Sequence, residues 1–211
     1  MSTLTLRIKT ITAESEFRLK EKGSLFIGLS SPINNEEEGT LLLNAVKKKY
    51  YDATHHCFSY KLADDTFKYS DDGEPSGTAG IRINNAQNHF ELTNIITIVI
   101  RYFGSVKLGI GPLGKTYYDT AIKNLESSNK IEQELYQKIE LEYNFEQTKY
   151  VHYLISKFDL EVNKNLFESS PIMNCSIKAS KISEIQLELK ENYNPNLILR
   201  FTESLFYKNI K

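Results

Sequence analysis

Apolar and polar residues alternate along the first part of the chain, and this period of two predicts β-strands. Leu4–Ile11 and Ser24–Ser31 follow the pattern, with the turn Glu21–Gly23 between them. Two further strands are predicted over 55–62 and 65–70. The segment 93–103 differs, because it is almost continuously apolar and rich in β-branched residues. Such a run predicts a strand that is buried on both faces.

Three segments of the same half predict helices, at 34–54, 77–88 and 112–127. The first opens with three glutamates (36–38) and closes with three lysines (47–49), an order that suits the helix dipole. Such charge runs are typical of a solvated helix face. In the third helix, apolar residues recur every four positions and predict one buried stripe, made of Leu113, Tyr117, Ala121 and Leu125.

The pattern restarts after the polar segment "ESSNKIEQE" (126–134), and we predict a domain boundary near residue 130. The elements that follow are predicted in the order strand, helix, strand, strand, helix, strand. This is the element order of a ferredoxin-like domain. The sequence therefore predicts an α+β protein with two domains, 1–130 and 131–211.

The composition is that of an ordinary globular protein, with 40% hydrophobic and 25% charged residues. A net charge of −1 provides no overall attraction to nucleic acid or anionic lipid, so such binding would need a local patch. No apolar stretch reaches the length of a membrane-spanning helix, and the first residues do not resemble a secretion signal. Cys57 and Cys175 lie far apart and are expected to be free thiols of a cytoplasmic protein.

The segment "GIGPLGKT" (109–116) matches G-x-x-x-x-G-K-[ST], the phosphate-binding loop of nucleotide hydrolases. In such a loop Lys115 would contact the outer phosphates and Thr116 would hold magnesium. However, "GSVKL" separates the motif from the preceding strand, and about 108 residues precede it. No apolar strand that ends in a magnesium-binding acid follows it. We therefore predict that the chain is not a nucleotide hydrolase of this class.

Three segments together resemble one family: "YYDATHHCFSYKL" (50–62), "DDGEPSGTAG" (71–80) and "VIRYFGSVKLGIGPLGKTYYDTA" (99–121). They are similar to the YigZ/IMPACT family, whose pattern includes D-A-T-H-x-C, D-D-G-E-P-S-G-T-A-G and R-Y-F-G-G-x-K-L-G-x-G-G-L-V-R-A-Y. Lys115 stands where the family has Arg, so the match to a phosphate-binding loop is a by-product of substitutions. Ser105 and Pro112 replace family glycines, and the resulting loss of backbone freedom is expected to alter ligand binding at this turn.

The resemblance implies a fold for each domain. The N-terminal domain is expected to share the α/β fold of domain 2 of a ribosomal small-subunit protein and of RNase PH. The C-terminal domain is expected to resemble the last domain of elongation factor G. Eukaryotic IMPACT acts in translational control, where it competes for a partner of a starvation-responsive kinase, so the resemblance implies a translation-associated role.

Asp71, Asp72 and Glu74 form a carboxylate cluster with two interpretations. As catalytic candidates they would bind magnesium or act as general acids and bases, which would make the protein a metal-assisted phosphoester hydrolase. In the structural interpretation, one carboxylate caps the following helix near Ser76 and Thr78, and one pairs with Arg101. The second interpretation needs no cofactor.

Basic residues surround the glycine-rich turn, and the sequence has no acidic residue between Glu91 and Asp119. Aromatic residues at 102, 103, 117 and 118 are interleaved with these cations. A helix start beside cations suits a phosphate, and aromatic–basic mixing suits RNA. The candidate binding residues are Ser76, Thr78, Arg101, Lys107, Gly109, Gly111 and Lys115. In the alternative, the aromatic residues are core and the cations are solvated.

His55, His56 and Cys57 suggest a zinc site, but alternation on a strand places His55 and Cys57 on one face and His56 on the other. No fourth ligand lies at zinc spacing, so a structural role is predicted. The functional hypothesis is a cytosolic binding or regulatory protein whose N-terminal cleft recognises RNA, the ribosome or a translation-associated protein. The metal-assisted hydrolase is the alternative hypothesis.

Overall fold

The structure is a computed structural model that describes residues 4–167 and 169–210. It divides into two compact units, Met1–Glu132 and Gln133–Lys211. Independent folding of the two units stays a prediction. The first elements are β1 (Arg7–Ile11), β2 (Ser15–Glu21), β3 (Ser24–Pro32), α1 (Glu36–Lys49), β4 (His55–Lys61), β5 (Phe67–Ser70), α2 (Gly80–His89), β6 (Ile95–Tyr102) and α3 (Ile110–Ser127). The later elements are β7 (Lys130–Tyr143), α4 (Thr148–Phe158), β8 (Glu161–Phe167), β9 (Pro171–Lys178), α5 (Ile182–Glu191) and β10 (Leu197–Asn209).

The N-terminal unit is built on an antiparallel sheet with the strand order β2-β3-β6-β4-β5. Helices α2 and α3 pack on one face of this sheet, where Ile83 and Tyr117 share a core with Phe26 and Val99. Helix α1 packs on the other face. The sheet is therefore covered on both sides, and its central strand contacts both helix layers.

The central strand β6 confirms the prediction of burial on both faces. All residues from Ile95 to Arg101 are buried. Ile96, Ile98 and Ile100 lie in the core with α1, whereas Ile95 and Val99 lie in the core with α2 and α3. Because alternate side chains point to opposite faces, Arg101 lies on the same face as Val99 and reaches the α3 side of the sheet.

The second unit has its own antiparallel sheet, in which β10, β7, β9 and β8 are adjacent in that order. Helices α4 and α5 contribute Val151, Leu154, Phe158 and Ile185 to its core. The observed β-α-β-β-α-β order is the predicted one, and the α+β fold class is confirmed. No helix among the described residues is long and apolar enough to cross a membrane.

Several element limits differ from the predictions. Strand β2 (Ser15–Glu21) was not predicted, because its charged residues mask a real alternation in which every second residue is exposed. Helix α2 starts at Gly80 rather than near 77, since the residues before it form a capped turn. Strand β7 starts at Lys130, inside the polar segment in which the domain boundary is predicted. The first residues of β7 are mostly polar and show little apolar alternation, and part of this segment becomes a strand by pairing with β10.

Candidate functional site

The loop from Asp71 to Gly80 connects β5 to α2, and its first carboxylate caps that helix. Oδ2 of Asp71 accepts a hydrogen bond from the Gly77 amide at 2.9 Å. Oδ1 accepts from the amides of Ala79 (2.9 Å) and Gly80 (2.8 Å). These amides have no partner within the helix, and the carboxylate also compensates the positive end of its dipole. Asp71 therefore has the structural role predicted for one acid of the cluster.

Asp72 joins the loop to β4 and α1. Its Oδ2 accepts the His56 amide hydrogen at 2.7 Å, and its Oδ1 lies 3.5 Å from Nζ of Lys47. Its backbone carbonyl lies 2.8 Å from Nδ1 of His55. The Asp72 backbone adopts a positive φ of 42°, in the left-handed region that Asp tolerates better than most residues.

Glu74 forms the most buried part of the cluster. Its Oε1 accepts hydrogen bonds from Nη1 of Arg101 at 2.6 Å and from the Tyr117 hydroxyl at 2.7 Å. The side chains of Glu74 and Arg101 are 4% and 5% exposed. This buried ion pair links the loop to strand β6 and helix α3, so the two family-like segments meet in space.

The three carboxylates therefore have protein partners in this structure. Among residues 4–167 and 169–210, no group of three or more His, Cys, Asp or Glu side chains is arranged to hold a metal ion. The arrangement gives no support to the hydrolase alternative. Asp71 caps a helix start, Asp72 accepts a strand amide hydrogen, and Glu74 pairs with Arg101.

Cys57 and Tyr117 lie behind the loop as neutral, buried groups. The Cys57 sulfur lies 3.0 Å from the Asp71 carbonyl oxygen and 3.4 Å from the Tyr117 hydroxyl oxygen. Burial is the main cause that raises the pKa of both groups far above their ordinary values. The thiol is therefore held unreactive, which agrees with a structural role for the His55–Cys57 segment.

Arg101 lies over two aromatic rings. Its guanidinium carbon is 5.3 Å from the Phe26 ring centroid and 5.3 Å from the Phe103 ring centroid. Its Nη2 lies 3.4 Å from Oγ of Ser24, and its buried Nε has no hydrogen-bond partner among the described residues. Because Arg101 is buried and paired with Glu74, it orients its neighbours and is not available to a solvent-side ligand.

The glycine-rich turn ends where α3 begins. Gly109 is the N-cap residue, with a positive φ of 84°, and no described side chain caps this helix start. Thr116 donates to the Pro112 carbonyl at 2.8 Å, and Lys115 pairs with Asp119 one turn further on. Residues 110–113, which would form the phosphate-wrapping loop, already belong to helix α3, so the chain does not form such a loop.

Exposed cations surround this helix start. The side chain of Lys115 is 75% exposed, and Lys107 is exposed in the turn. Arg82 is a third exposed cation, and its Nε donates to the Gly77 carbonyl at 3.3 Å. A Cβ at Gly114 would lie 3.3 Å from the same Arg82 nitrogen, which places Arg82 against α3. Arg82 was not among the predicted binding residues.

The other predicted binding residues have different environments. Ser76 is exposed, whereas Thr78 is buried and donates its hydroxyl to the Pro75 carbonyl at 2.6 Å. Gly111 is exposed, and a Cβ there would meet no atom within 4 Å. The interleaved aromatic residues also separate, because Tyr117 is fully buried and Phe103 is 49% exposed. Tyr117 is therefore a core residue, as in the alternative interpretation of the interleaved aromatic residues.

Comparison with known proteins connects this site to a family. Residues 22–125 match the family model described as the Impact N-terminal domain, and this range contains both the loop and the turn. The chain belongs to the YigZ/IMPACT family. It is 29% identical over 194 residues to an IMPACT family member of Haemophilus influenzae, which covers 89% of this chain and 93% of that protein.

Other relatives extend this result. The IMPACT family member YvyE of Bacillus subtilis is 32% identical over 128 residues, which cover 60% of this chain and 59% of that protein. The crystal structure of a hypothetical protein matches with a TM-score of 0.67 and 23% identity, and the match covers 95% of this chain and all of that one. This structural similarity supports the fold alone.

The structure explains which glycines of the YigZ/IMPACT pattern are required. A Cβ at Gly104 would lie 2.3 Å from the backbone of Gly23, and a Cβ at Gly80 would lie 2.8 Å from the Ser70 carbonyl oxygen. Pro112, by contrast, lies in the first turn of α3, where a missing amide hydrogen costs no intrahelical bond. The substitution at 112 therefore leaves the helix start intact, and the expected effect on ligand binding stays a prediction.

Proposed function

We propose that this YigZ/IMPACT protein is a cytosolic, translation-associated binding protein whose N-terminal unit contacts RNA, free or on the ribosome. The carrying observation is the group of three exposed cations, Arg82, Lys107 and Lys115, around the open start of α3. RNA is recognised first through its phosphates, which bind cations and helix-start amides.

The local charge supports this proposal even though the whole chain carries a net charge of −1. Residues 92–118 contain no Asp or Glu. The nearby acids of the loop have partners in the protein, where amides, a lysine and Arg101 compensate their charge. Asp119 does pair with Lys115, but an exposed pair at this helical spacing contributes only about 0.3–0.5 kcal/mol. A phosphate can therefore replace that partner.

The family resemblance supports the translational part of the proposal. Eukaryotic IMPACT acts in translational control, and a chain of the same family is expected to act on related machinery. A protein partner on the ribosome is the alternative ligand of the same surface. RNA and a protein partner are distinguished by testing whether the cations contribute to the binding of free RNA.

The test is a salt titration of binding to a labelled single-stranded RNA for the wild type and for Lys107→Ala/Lys115→Ala. Two lost phosphate contacts are expected to lower affinity severalfold and to reduce the log–log salt slope by about 1.4. The matched control is Lys48→Ala/Lys164→Ala, which removes the same charge from exposed positions on α1 and β8.

The control variant is expected to bind RNA like the wild type. Equal affinity and equal salt slope for Lys107→Ala/Lys115→Ala would refute the RNA surface. If ribosome binding were lost in that variant while free RNA was never bound, the surface would be assigned to a protein partner instead.

A further inference from the structure

Phe103 presents an aromatic surface to solvent at the beginning of the glycine-rich turn. Phe103 is 49% exposed, and the guanidinium carbon of Arg101 lies 5.3 Å from the centroid of its ring. Arg101 itself is buried and lies at the same distance from the Phe26 ring. Arg101 therefore contacts the ring from within the protein, while about half of Phe103 is left open to solvent, where a further planar group can stack.

The backbone at this ring is held by the residue before β4 and by the first residue of β3. The Phe103 amide donates to Oγ1 of Thr54 at 3.0 Å, and the Gly104 amide donates to Oγ of Ser24 at 3.0 Å. Glu74 in turn holds the Arg101 guanidinium at 2.6 Å. A ring that is already fixed loses little conformational entropy when a ligand stacks on it.

We infer that Phe103 is a base-stacking residue that makes the proposed RNA surface selective for single strands; this inference rests on the proposed function. Bases of a single strand have free faces that stack on aromatic side chains, whereas the bases of a duplex are already stacked on each other. Lys107, four residues further on, supplies a cation for the adjoining phosphate.

The surroundings favour RNA over an apolar protein segment as the occupant. Exposed cations lie on α2 (82), in the turn (107) and on α3 (115), and residues 92–118 have no acidic side chain. Val106 and Ile110 are 50% and 71% exposed and extend the apolar surface of the turn. An aromatic ring beside cations is the combination found in surfaces that bind single-stranded nucleic acid.

The experiment compares a labelled single-stranded RNA of about 12 nucleotides with the same strand annealed to its complement, by fluorescence anisotropy. The wild type is expected to prefer the single strand. Phe103→Leu is expected to weaken single-strand binding by roughly tenfold and to leave duplex binding unchanged. Phe103→Tyr, which keeps the ring, is expected to retain single-strand affinity.

The matched control is Phe67→Leu, since Phe67 is a similarly exposed aromatic residue (42%) on strand β5. It is expected to bind like the wild type, and urea unfolding of each variant verifies that it is folded. Equal affinity for single strand and duplex, or no effect of Phe103→Leu, would overturn the stacking role and leave the phosphate surface standing.

Two further outcomes would also overturn the inference. If the wild type bound neither RNA, the proposed function would fail together with it. If Phe103→Leu weakened ribosome binding but not binding to the single strand, Phe103 would be assigned to a contact with a ribosomal protein.

Discussion

The loop at 71–80 and the turn at 103–115 both carry charged family motifs, but their charges have opposite environments. In the loop, the carboxylates of Asp71, Asp72 and Glu74 accept hydrogen bonds from the protein itself. In the turn and the helix start, Lys107 and Lys115 are exposed, and the backbone at Gly111 is open. The loop therefore stabilises the N-terminal unit, whereas the cations of the turn and helix start are exposed to solvent.

This comparison shows that charge in a motif does not by itself indicate a ligand site. A carboxylate that accepts hydrogen bonds from three backbone amides has few lone pairs left for a metal or a substrate. Replacing it therefore lowers the free energy of unfolding. An exposed lysine has the reverse properties, because it contributes little to stability and its charge is free for a partner. Variants in the two segments should therefore differ in what they damage.

The largest effect is expected at the buried ion pair. Glu74→Gln keeps the shape of the side chain but leaves the Arg101 charge uncompensated at a site where both partners are about 5% exposed. Breaking a buried pair in this way is expected to lower the free energy of unfolding by about 3–5 kcal/mol. Urea unfolding, followed by circular dichroism, measures the loss.

Two companion variants sharpen this prediction. Glu37→Gln, in the exposed first turn of α1, is expected to change stability by less than about 0.5 kcal/mol. The double variant Glu74→Gln/Arg101→Met removes both buried charges and is expected to recover much of the loss. A Glu74→Gln variant as stable as the wild type would contradict the structural role of the loop.

A smaller loss of folding stability is expected at high pH, because the buried Cys57 thiol behind the loop is neutral in the folded protein. Burial raises the pKa of Cys57 above its ordinary 9.0, so the unfolded chain loses this proton first. The stability due to the neutral thiol is complete below pH 9.0 and is lost as pH rises above that value. The loss amounts to about 1.4 kcal/mol per pH unit.

Cys57→Ser provides the comparison, because its hydroxyl does not ionise in this range. Unfolding free energies of both proteins are measured from about pH 8 to about pH 10.5, where the wild type is expected to lose stability more steeply than the variant. Tyr117, whose pKa burial also raises, titrates in both proteins and cancels in the comparison. Parallel curves would show that the thiol is not held neutral.

The smallest effect is expected in the turn. Lys107→Ala/Lys115→Ala is expected to change the free energy of unfolding by less than about 0.5 kcal/mol, since it removes only exposed cations and one exposed helix pair. Urea unfolding at neutral pH measures this change. A loss above about 2 kcal/mol would mean that these lysines support the fold, and the contrast between the loop and the turn would disappear.

Local patterns predicted most elements, because they depend on residues close in sequence. The continuous apolar run of β6 and the four-residue spacing in α3 were sufficient for a buried strand and an amphipathic helix. The edge strand β2 was missed, because its exposed residues are charged and its alternation, with Phe17 and Leu19, is short. The start of β7 was not predicted either, because its first residues are mostly polar and lie in the segment that carries the predicted domain boundary.

The sequence by itself determined the fold class, the family and the segments that carry the site, since these follow from local periodicity and from motifs of fixed spacing. Only the tertiary structure decided which carboxylate faces which partner. Glu74 meets Arg101 from 27 positions away, and Ser24 meets Gly104 from 80 positions away. Such contacts depend on how the sheet and helices pack, and this packing is what buries Arg101 while Lys107 stays in solvent.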